Sequence, residues 1–144
     1  MSETTANPTS SPADSSPAAA LRSILVVDDE EAILISFQRL LRGPGRAVET
    51  ASTIEEAERL LETKSFWAVI ADLRLTGVLG KEGLELIRFI REKNLGCHVI
   101  LVTGYGSPEI MEEAHQLGAA FYFEKPVPAQ TLIEALASLE TAPR

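Results

Sequence analysis

The chain of 144 residues has one cysteine, one tryptophan and no long apolar run. Because Cys97 is the single cysteine, an intramolecular disulfide and a cysteine-based zinc site are excluded, and its place beside a predicted strand indicates a buried structural thiol. No stretch approaches the roughly 18 apolar residues that a membrane-spanning helix needs. These absences predict a cytoplasmic protein without a membrane partner.

Basic side chains are also scarce, since 13 Lys and Arg stand against 21 Asp and Glu, for a formal net charge of −8. A nucleic-acid-binding protein is expected to carry a clustered basic face, because phosphate contacts dominate its affinity. The composition therefore argues against direct nucleic-acid binding. It favours a protein that tolerates cations near its surface.

The chain divides into a tail and one domain. Residues 1–21 are rich in Ser, Pro and Ala and have few large apolar side chains, so we expect a disordered tail. This tail has neither the basic start nor the apolar core of a secretory signal. Residues 22–140 are long enough for one domain with one core, and residues 141–144 form a short C-terminal tail.

Short apolar runs alternate with helical patterns along residues 22–140. Gly43-Pro44-Gly45 ends the first helix, and Ser52 with Glu55, or Thr53 with Glu56, offers a capping box for the second. The predicted strands are 24–27, 47–51, 68–71, 99–102 and 120–123. The helices place these side chains inward: Ile33, Phe37, Leu40, Leu41, Ile54, Ala57, Leu60, Leu61, Leu84, Ile87, Ile90, Ile110, Met111, Ala114, Leu117, Leu132, Ile133, Leu136 and Leu139. Five such units predict an α/β fold with a doubly wound, five-stranded parallel sheet and five helices.

Three aspartates stand at the ends of two of these apolar runs. Asp28 and Asp29 close residues 24–27, and Asp72 closes residues 68–71. In open α/β sheets, ligands bind beyond the carboxyl ends of the parallel strands. Carboxylates gathered there repel one another unless a cation or a proton stabilises them. The pattern predicts a divalent-metal site, and Mg²⁺ suits it because this ion takes oxygen ligands.

Two further predicted strands bring Thr103 and Lys125 to the same edge of the sheet. A hydroxyl and an ammonium beside a metal site can hold a phosphoryl group, whose oxygens share negative charge. An aspartate can act as the covalent acceptor. The four strand ends together indicate phosphoryl chemistry on a carboxylate.

Four short motifs then carry a family resemblance: Val27-Asp28-Asp29-Glu30, Ala71-Asp72-Leu73-Arg74-Leu75, Val102-Thr103-Gly104-Tyr105-Gly106 and Glu124-Lys125-Pro126. In this order, and at the ends of the expected strands, they resemble the receiver domain of bacterial response regulators over residues 22–140. The resemblance implies a flavodoxin-like sheet with the strand order 2-1-3-4-5.

The same resemblance implies a role for each metal-site residue. Asp72 matches the phosphorylated aspartate, Asp29 the direct magnesium ligand, and Asp28 the partner that acts largely through water. The main-chain carbonyl of Arg74 matches a further metal ligand. The ammonium of Lys125 matches the group that pairs with the phosphoryl oxygens.

Two residues match the switch of the family. Thr103 matches the hydroxyl that bonds the phosphoryl group, and Tyr122 matches the aromatic side chain that turns inward upon activation. The family also has a cis peptide bond before the proline that corresponds to Pro126. This sequence departs from the family pattern in the loop after Asp72. Thr76 stands where family members usually have a proline, and the third helix starts a few residues late, so the loop is enlarged.

The function implied by the resemblance is a signalling switch, not an enzyme, that assists its own phosphorylation and dephosphorylation. A histidine kinase or a phosphotransfer protein would donate the phosphoryl group to Asp72, and a downstream protein would read the changed surface. No effector domain is expected after Leu139, so the protein works alone or is a fragment of a longer chain.

Two alternatives stay open from the sequence. A haloacid-dehalogenase-like, magnesium-dependent phosphatase also uses an aspartyl phosphate, but it places a second aspartate where this chain has Arg74. The other alternative is a receiver-like interaction module that works without phosphorylation.

Overall fold

The computed structural model describes residues 22–72, 82–93, 95–104 and 107–141. Within these residues, five strands alternate with five helices. The strands are β1 (Arg22–Val27), β2 (Arg46–Ala51), β3 (Ala68–Asp72), β4 (His98–Thr103) and β5 (Phe121–Glu124). The helices are α1 (Glu31–Leu41), α2 (Ile54–Thr63), α3 (Glu82–Glu92), α4 (Pro108–Gln116) and α5 (Ala129–Thr141).

The strands form one parallel sheet in the order β2-β1-β3-β4-β5. The predicted α/β fold, with its flavodoxin-like, doubly wound sheet and the order 2-1-3-4-5, is therefore confirmed. In the register of the sheet, Asp72 lies opposite Val102, and Thr103 lies opposite Glu124. Because all five strands run in the same direction, their carboxyl ends meet at one edge of the sheet.

Alternate side chains of the central strands enter two separate layers of the core. Leu25 and Val27 of β1 pack with the layer of α2, α3 and α4, whereas Ile24 and Val26 pack with the layer of α1 and α5. All four are at most 1% exposed. Burial on both faces explains why these strands are continuous apolar runs. Each such side chain contributes up to about 1.5–3 kcal/mol to folding.

The second helix begins with the predicted capping box, shared between two hydroxyl residues. The Oγ1 of Thr53 accepts a hydrogen bond from the Glu56 amide at 3.1 Å, so Thr53 is the cap. The Oε1 of Glu56 accepts a hydrogen bond from the Ser52 amide at 3.0 Å. Because Glu56 reaches back one residue beyond the cap, the turn between β2 and α2 is held from both sides.

Two predicted core positions differ from the structure: Ile33 is partly buried outside both core layers, where Leu34 is the buried residue, and Met111 is exposed. The helical spacing predicts that Met111 points inward, but its side chain is 42% exposed, whereas Ala114 on the same helix is fully buried. Ile110 and Leu117 pack against the core as partly buried side chains. Positions 110, 114 and 117 share one face of α4 by helical spacing, and position 111 lies about 100° away from 110 around the axis. A helix at the side of the sheet buries only that narrow face.

The remaining differences concern element boundaries. β1 begins at Arg22 and not at Ile24, and β4 extends by one residue at each end to His98 and Thr103. Cys97 is partly buried, and burial raises the pKa of its thiol to about 11, in line with the structural thiol predicted. In the part of the chain that is described, no helix has both the length and the apolar character to cross a bilayer. Residues 1–21 and 142–144 lie outside the described residues, so the predicted tails stay predictions.

Candidate functional site

The ends of four strands meet at one edge of the sheet and build the site. Asp28 directly follows β1, Asp72 and Thr103 are the last residues of β3 and β4, and Lys125 directly follows β5. The Lys125 amide donates a hydrogen bond of 2.7 Å to the Thr103 carbonyl, which extends the β4–β5 pairing into the site. The sheet therefore fixes the backbone position of each of these residues.

Three carboxylates gather at this edge. One oxygen from each of Asp28, Asp29 and Asp72 lies within 4.8 Å of the other two. Asp28 is only 3% exposed, the Asp72 side chain is 11% exposed, and Asp29 is open to solvent. Oxygen ligands on one side and open access on the other suit a hard cation that keeps part of its water shell. The three predicted side-chain ligands are thus brought together in a set that fits Mg²⁺.

Lys125 reaches into this cluster. Its Nζ donates a hydrogen bond of 3.2 Å to the Oδ2 of Asp72 and forms an ion pair of 3.6 Å with the Oδ2 of Asp28. Burial alone lowers the pKa of Lys125, but the charges of Asp72 and then Asp28 outweigh it, so the pKa lies above its usual value. The lysine is therefore a fixed positive charge beside two carboxylates.

Asp28 is the buried member of the cluster. Its Oδ1 accepts a hydrogen bond of 2.9 Å from the Glu30 amide at the start of α1. Desolvation raises the pKa of Asp28, and the Asp72 and Asp29 charges add to the rise, whereas the Glu30 amide and Lys125 oppose it. The net result is a pKa above the usual 3.8, so ionised Asp28 is a cost to the fold.

The first testable prediction is that Asp28→Asn stabilises the protein at neutral pH by about 1 kcal/mol. The amide oxygen of asparagine can still accept from the Glu30 amide, while the repulsion by Asp29 and Asp72 is gone. Because the folded-state pKa of Asp28 is raised, its favourable contribution is present below its ordinary pKa and is lost as the pH rises through the raised value.

Urea unfolding without divalent metal, from about pH 4 to pH 7, measures this difference. The difference in the free energy of unfolding between Asp28→Asn and wild type should grow in favour of the variant as the pH rises. Glu92→Gln, which removes a carboxylate in the exposed last turn of α3, is the matched control and should show no such growth. A difference that stays constant or shrinks with pH would contradict the conclusion that ionised Asp28 destabilises the fold.

The two predicted switch residues lie on neighbouring strands. Thr103 is fully buried at the end of β4, and Tyr122 lies on β5, packed against the core layer of α2, α3 and α4. The hydroxyl of Tyr122 is buried close to the backbone of Ser107, but it forms no hydrogen bond of standard geometry with the described residues. Burial raises the pKa of Tyr122, Glu124 adds to the rise, and the backbone of Ser107 partly opposes it. Ser107, which also caps α4, lies close to Tyr122, and no sequence motif indicates this proximity.

Several predicted features of the loops lie outside the described residues: Arg74 with its carbonyl ligand, Thr76, Tyr105 and most of the enlarged loop after Asp72. The predicted cis peptide bond between Lys125 and Pro126 is confirmed.

Comparison with known proteins adds a family. The family model described as the response regulator receiver domain matches residues 24–137. This span contains all the side chains of the site, from Asp28 to Lys125. The match supports the receiver interpretation and gives no support to the phosphatase alternative.

Curated relatives agree with this match. The photosynthetic apparatus regulatory protein RegA of Cereibacter sphaeroides is 30% identical over 115 residues, which are 80% of this chain and 61% of RegA. The alginate biosynthesis transcriptional regulatory protein AlgB of Pseudomonas aeruginosa is 37% identical over 119 residues, 81% of this chain and 26% of AlgB. The chain thus spans about three fifths of the length of the first relative and a quarter of the second.

Solved structures share the fold. A response regulator receiver domain protein from Methanospirillum hungatei has a TM-score of 0.75 and 32% identity, with 84% of this chain and 94% of that chain covered. A response regulator protein from Burkholderia pseudomallei, described with a phosphorylated aspartic acid and a calcium ion, has a TM-score of 0.70 and 25% identity. The comparison covers 83% of this chain and 69% of that one.

Proposed function

Because this chain belongs to the response regulator receiver domain family, we propose that its Asp72 accepts a phosphoryl group from a phosphohistidine on a kinase or phosphotransfer protein. The position of Lys125 carries the proposal, since its ammonium lies 3.2 Å from an oxygen of Asp72 among three gathered carboxylates. A fixed ammonium beside a nucleophilic oxygen offers positive charge to the phosphoryl oxygens as the new bond forms.

The proposed transfer makes one bond and breaks one. An oxygen of Asp72 attacks the phosphorus atom, and the bond from phosphorus to the donor imidazole breaks, with its electron pair returning to the imidazole nitrogen. In the later hydrolysis, a water oxygen attacks the phosphorus and the bond to Asp72 breaks. Lys125 faces the phosphoryl oxygens in both directions, so the domain assists its own phosphorylation and dephosphorylation.

The side chains proposed to hold a magnesium ion are Asp28, Asp29 and Asp72, together with the Arg74 carbonyl. Such an ion, when bound, supplies positive charge to the phosphoryl oxygens. Asp29 is proposed as the direct ligand because it is open to solvent, and Asp28 as the partner that acts through water because its Oδ1 is engaged by the Glu30 amide. The Burkholderia protein, which is described with a phosphorylated aspartic acid and a calcium ion, supports aspartyl phosphorylation as the proposed chemistry.

Partners and location follow the family. We infer a histidine kinase or phosphotransfer protein as the donor, an unidentified protein as the target, and the cytoplasm as the location. The inference of no direct nucleic-acid contact rests on the net charge of −8 and applies to this chain. AlgB is described as a transcriptional regulator, but this chain covers only 26% of it. The limits proposed for the receiver domain are residues 22–140.

The proposed output is a coupled movement of Thr103 and Tyr122. Phosphorylation adds roughly two negative charges at the sheet edge. The Thr103 hydroxyl turns toward the phosphoryl oxygens, and Tyr122 fills the space that it leaves. The buried hydroxyl of Tyr122 lies near the Ser107 backbone without a hydrogen bond of standard geometry, so its hydrogen bonding can improve in a second arrangement. Because Tyr122 and Ile110 both pack against the same core layer, a movement of Tyr122 is proposed to reach α4.

This proposal predicts that Thr103→Ala still accepts a phosphoryl group but transmits it poorly. With magnesium and beryllofluoride as a stable mimic, amide shifts of wild type should spread over residues 110–117 and 132–139. In Thr103→Ala these shifts should fall by about half or more, the effect of losing a coupling of about 1 kcal/mol.

Thr103→Ser keeps the hydroxyl and is the matched control, which should restore the shifts on α4 and α5. If wild type and Thr103→Ala respond alike on those helices while both bind the mimic, the link between Thr103 and Tyr122 is wrong.

A further inference from the structure

The last turn of α5 carries a charge of the unfavourable sign. Glu140 lies one residue before the end of this helix, and the turn, all of which the structure describes, contains no basic residue. The carboxyl end of a helix has a partial negative charge, so a carboxylate there is repelled. Apolar packing is also weak in this turn, because Leu136 is fully buried but Ser138 is exposed and Leu139 is only partly buried. The helix by itself is therefore expected to fray after Leu136.

Two arginines from the sheet face this carboxylate. Arg22 and Arg46 are the first residues of β1 and β2 and lie opposite each other in the register. The Nε of Arg46 donates a hydrogen bond of 3.3 Å to the Oε2 of Glu140, and the Nη1 of Arg22 forms an ion pair of 3.9 Å with the same oxygen. The side chains of Arg46 and Glu140 are 23% and 24% exposed, so their attraction is screened less than that of an open surface pair. The Thr141 hydroxyl bonds within the helix, to the Ser138 carbonyl at 3.2 Å, so among the described residues the polar ties from this turn to the sheet come from the two arginines.

Arg22 is itself held in place by an aromatic side chain. Its Cζ lies 5.1 Å from the ring centroid of Trp67, within the range of a cation–π contact. The Trp67 and His98 rings are nearly perpendicular, with 5.7 Å between their centroids. Trp67 directly precedes β3 and His98 begins β4, so side chains from the starts of four strands form one row along the amino edge of the sheet. Because this packing restricts Arg22, pairing with Glu140 costs it less conformational entropy.

We propose that Arg22, Glu140 and Arg46 form an ionic latch that holds the last turn of α5 on the sheet, and that this turn opens as a separate unit when salt screens the latch. The opening is confined to residues 138–141, because Leu136 anchors the preceding turn in the core. A closed latch gives the chain that follows α5 a fixed starting point, and an open latch releases it. The latch lies at the amino edge of the sheet, away from the carboxyl edge that holds the phosphorylation site, so the proposal does not depend on phosphoryl transfer.

Exchange of the backbone amides with water, followed by NMR on the full, unphosphorylated chain without metal, measures the opening of this turn. After correction for intrinsic exchange rates, Glu140→Gln should make the amides of residues 138–141 exchange about fivefold faster, the size expected when a carboxylate loses two guanidinium partners. Residues 132–136 should exchange as in wild type. The helix dipole alone predicts the opposite sign, since the variant removes a carboxylate from the negative end of α5. The direction of the change therefore separates the latch from the dipole.

A second substitution tests whether the effect passes through the arginines. Arg46→Gln should also speed the exchange of residues 138–141, by about threefold, because Arg22 still faces the carboxylate. In the double variant of Arg46→Gln and Glu140→Gln, the exchange rate should equal that of Glu140→Gln alone, since the two side chains act as one unit. In wild type, exchange should rise about threefold between ~0.05 M and ~1 M NaCl, and in Glu140→Gln it should stay level.

Glu113→Gln is the matched control, because it breaks the pair of Glu113 with Arg88 between α4 and α3 without changing α5. It should leave the exchange of residues 138–141 and its salt dependence unchanged. Slower or unchanged exchange in Glu140→Gln would overturn the latch, as would additive effects of the two substitutions. Faster exchange that spreads equally to residues 132–136 would also overturn the proposal, because the turn would then not open separately.

Discussion

With magnesium and a small phosphodonor such as acetyl phosphate, the wild-type protein is expected to gain one acid-stable, alkali-labile phosphoryl group, and Asp72→Asn none. An acyl phosphate on a carboxylate is hydrolysed by mild alkali, whereas a phosphoserine ester survives mild alkali and is lost only in stronger alkali, by β-elimination. Asparagine keeps the size of the side chain but is not a nucleophile, so phosphorylation at position 72 should be abolished completely. Intact-mass measurement before and after mild alkali detects the difference.

Asp14→Asn is the matched control for this experiment, because Asp14 is the only aspartate of the chain besides Asp28, Asp29 and Asp72. It should label like wild type. Equal labelling of wild type and Asp72→Asn would move the acceptor to another residue. Turnover of a small phosphate ester without a stable covalent intermediate would favour the phosphatase alternative instead.

The second large effect is expected on the affinity of the protein for magnesium. Magnesium should bind weakly to wild type, since the ion keeps much of its hydration and Asp29 is open to solvent. Asp29→Ala should lose about tenfold or more in affinity, because it removes a direct ligand. Asp28→Ala should lose less, because Asp28 is proposed to act through water and also repels the other carboxylates.

Amide shifts of the site residues are the proper readout for this titration. The single tryptophan, Trp67, directly precedes β3, whereas Asp72 ends it, so about 16 Å of strand separate the two. Tryptophan fluorescence therefore reports poorly on the site. Equal magnesium affinity of wild type and Asp29→Ala would remove Asp29 from the ligand set, whereas Glu31→Gln is the control that leaves the set intact.

The sheet could be predicted from the sequence because its strands are covered on both faces. Ile24 to Val27 and Ala68 to Ala71 are continuous apolar runs, and their spacing by helical patterns leaves few other topologies. The exact ends could not be predicted, since pairing at Arg22 and His98 is a matter of backbone hydrogen bonds and not of apolar side chains.

The site could be predicted because its residues stand directly at strand ends. Once the strands are parallel, Asp28, Asp72, Thr103 and Lys125 have to meet, and the structure brings them together. The double contact of Lys125 with two aspartates, in contrast, depends on rotamers that the sequence does not encode locally.

Other features depend on tertiary packing alone. Met111 is apolar and therefore looks like a core residue in the sequence. Only the packing of α4 against the sheet shows that the buried face of this helix does not include position 111. Patterns within one element cannot reveal how the neighbouring elements cover it.

The most direct test of the central claim is the position of the phosphoryl group. Borohydride reduction converts an aspartyl phosphate to homoserine, which peptide mapping then places in the sequence. After treatment with magnesium and a phosphodonor, homoserine is predicted at position 72 and at no other aspartate. Homoserine at position 28 or 29, or a retained phosphoryl group that borohydride does not remove, would contradict the assignment of Asp72 as the acceptor.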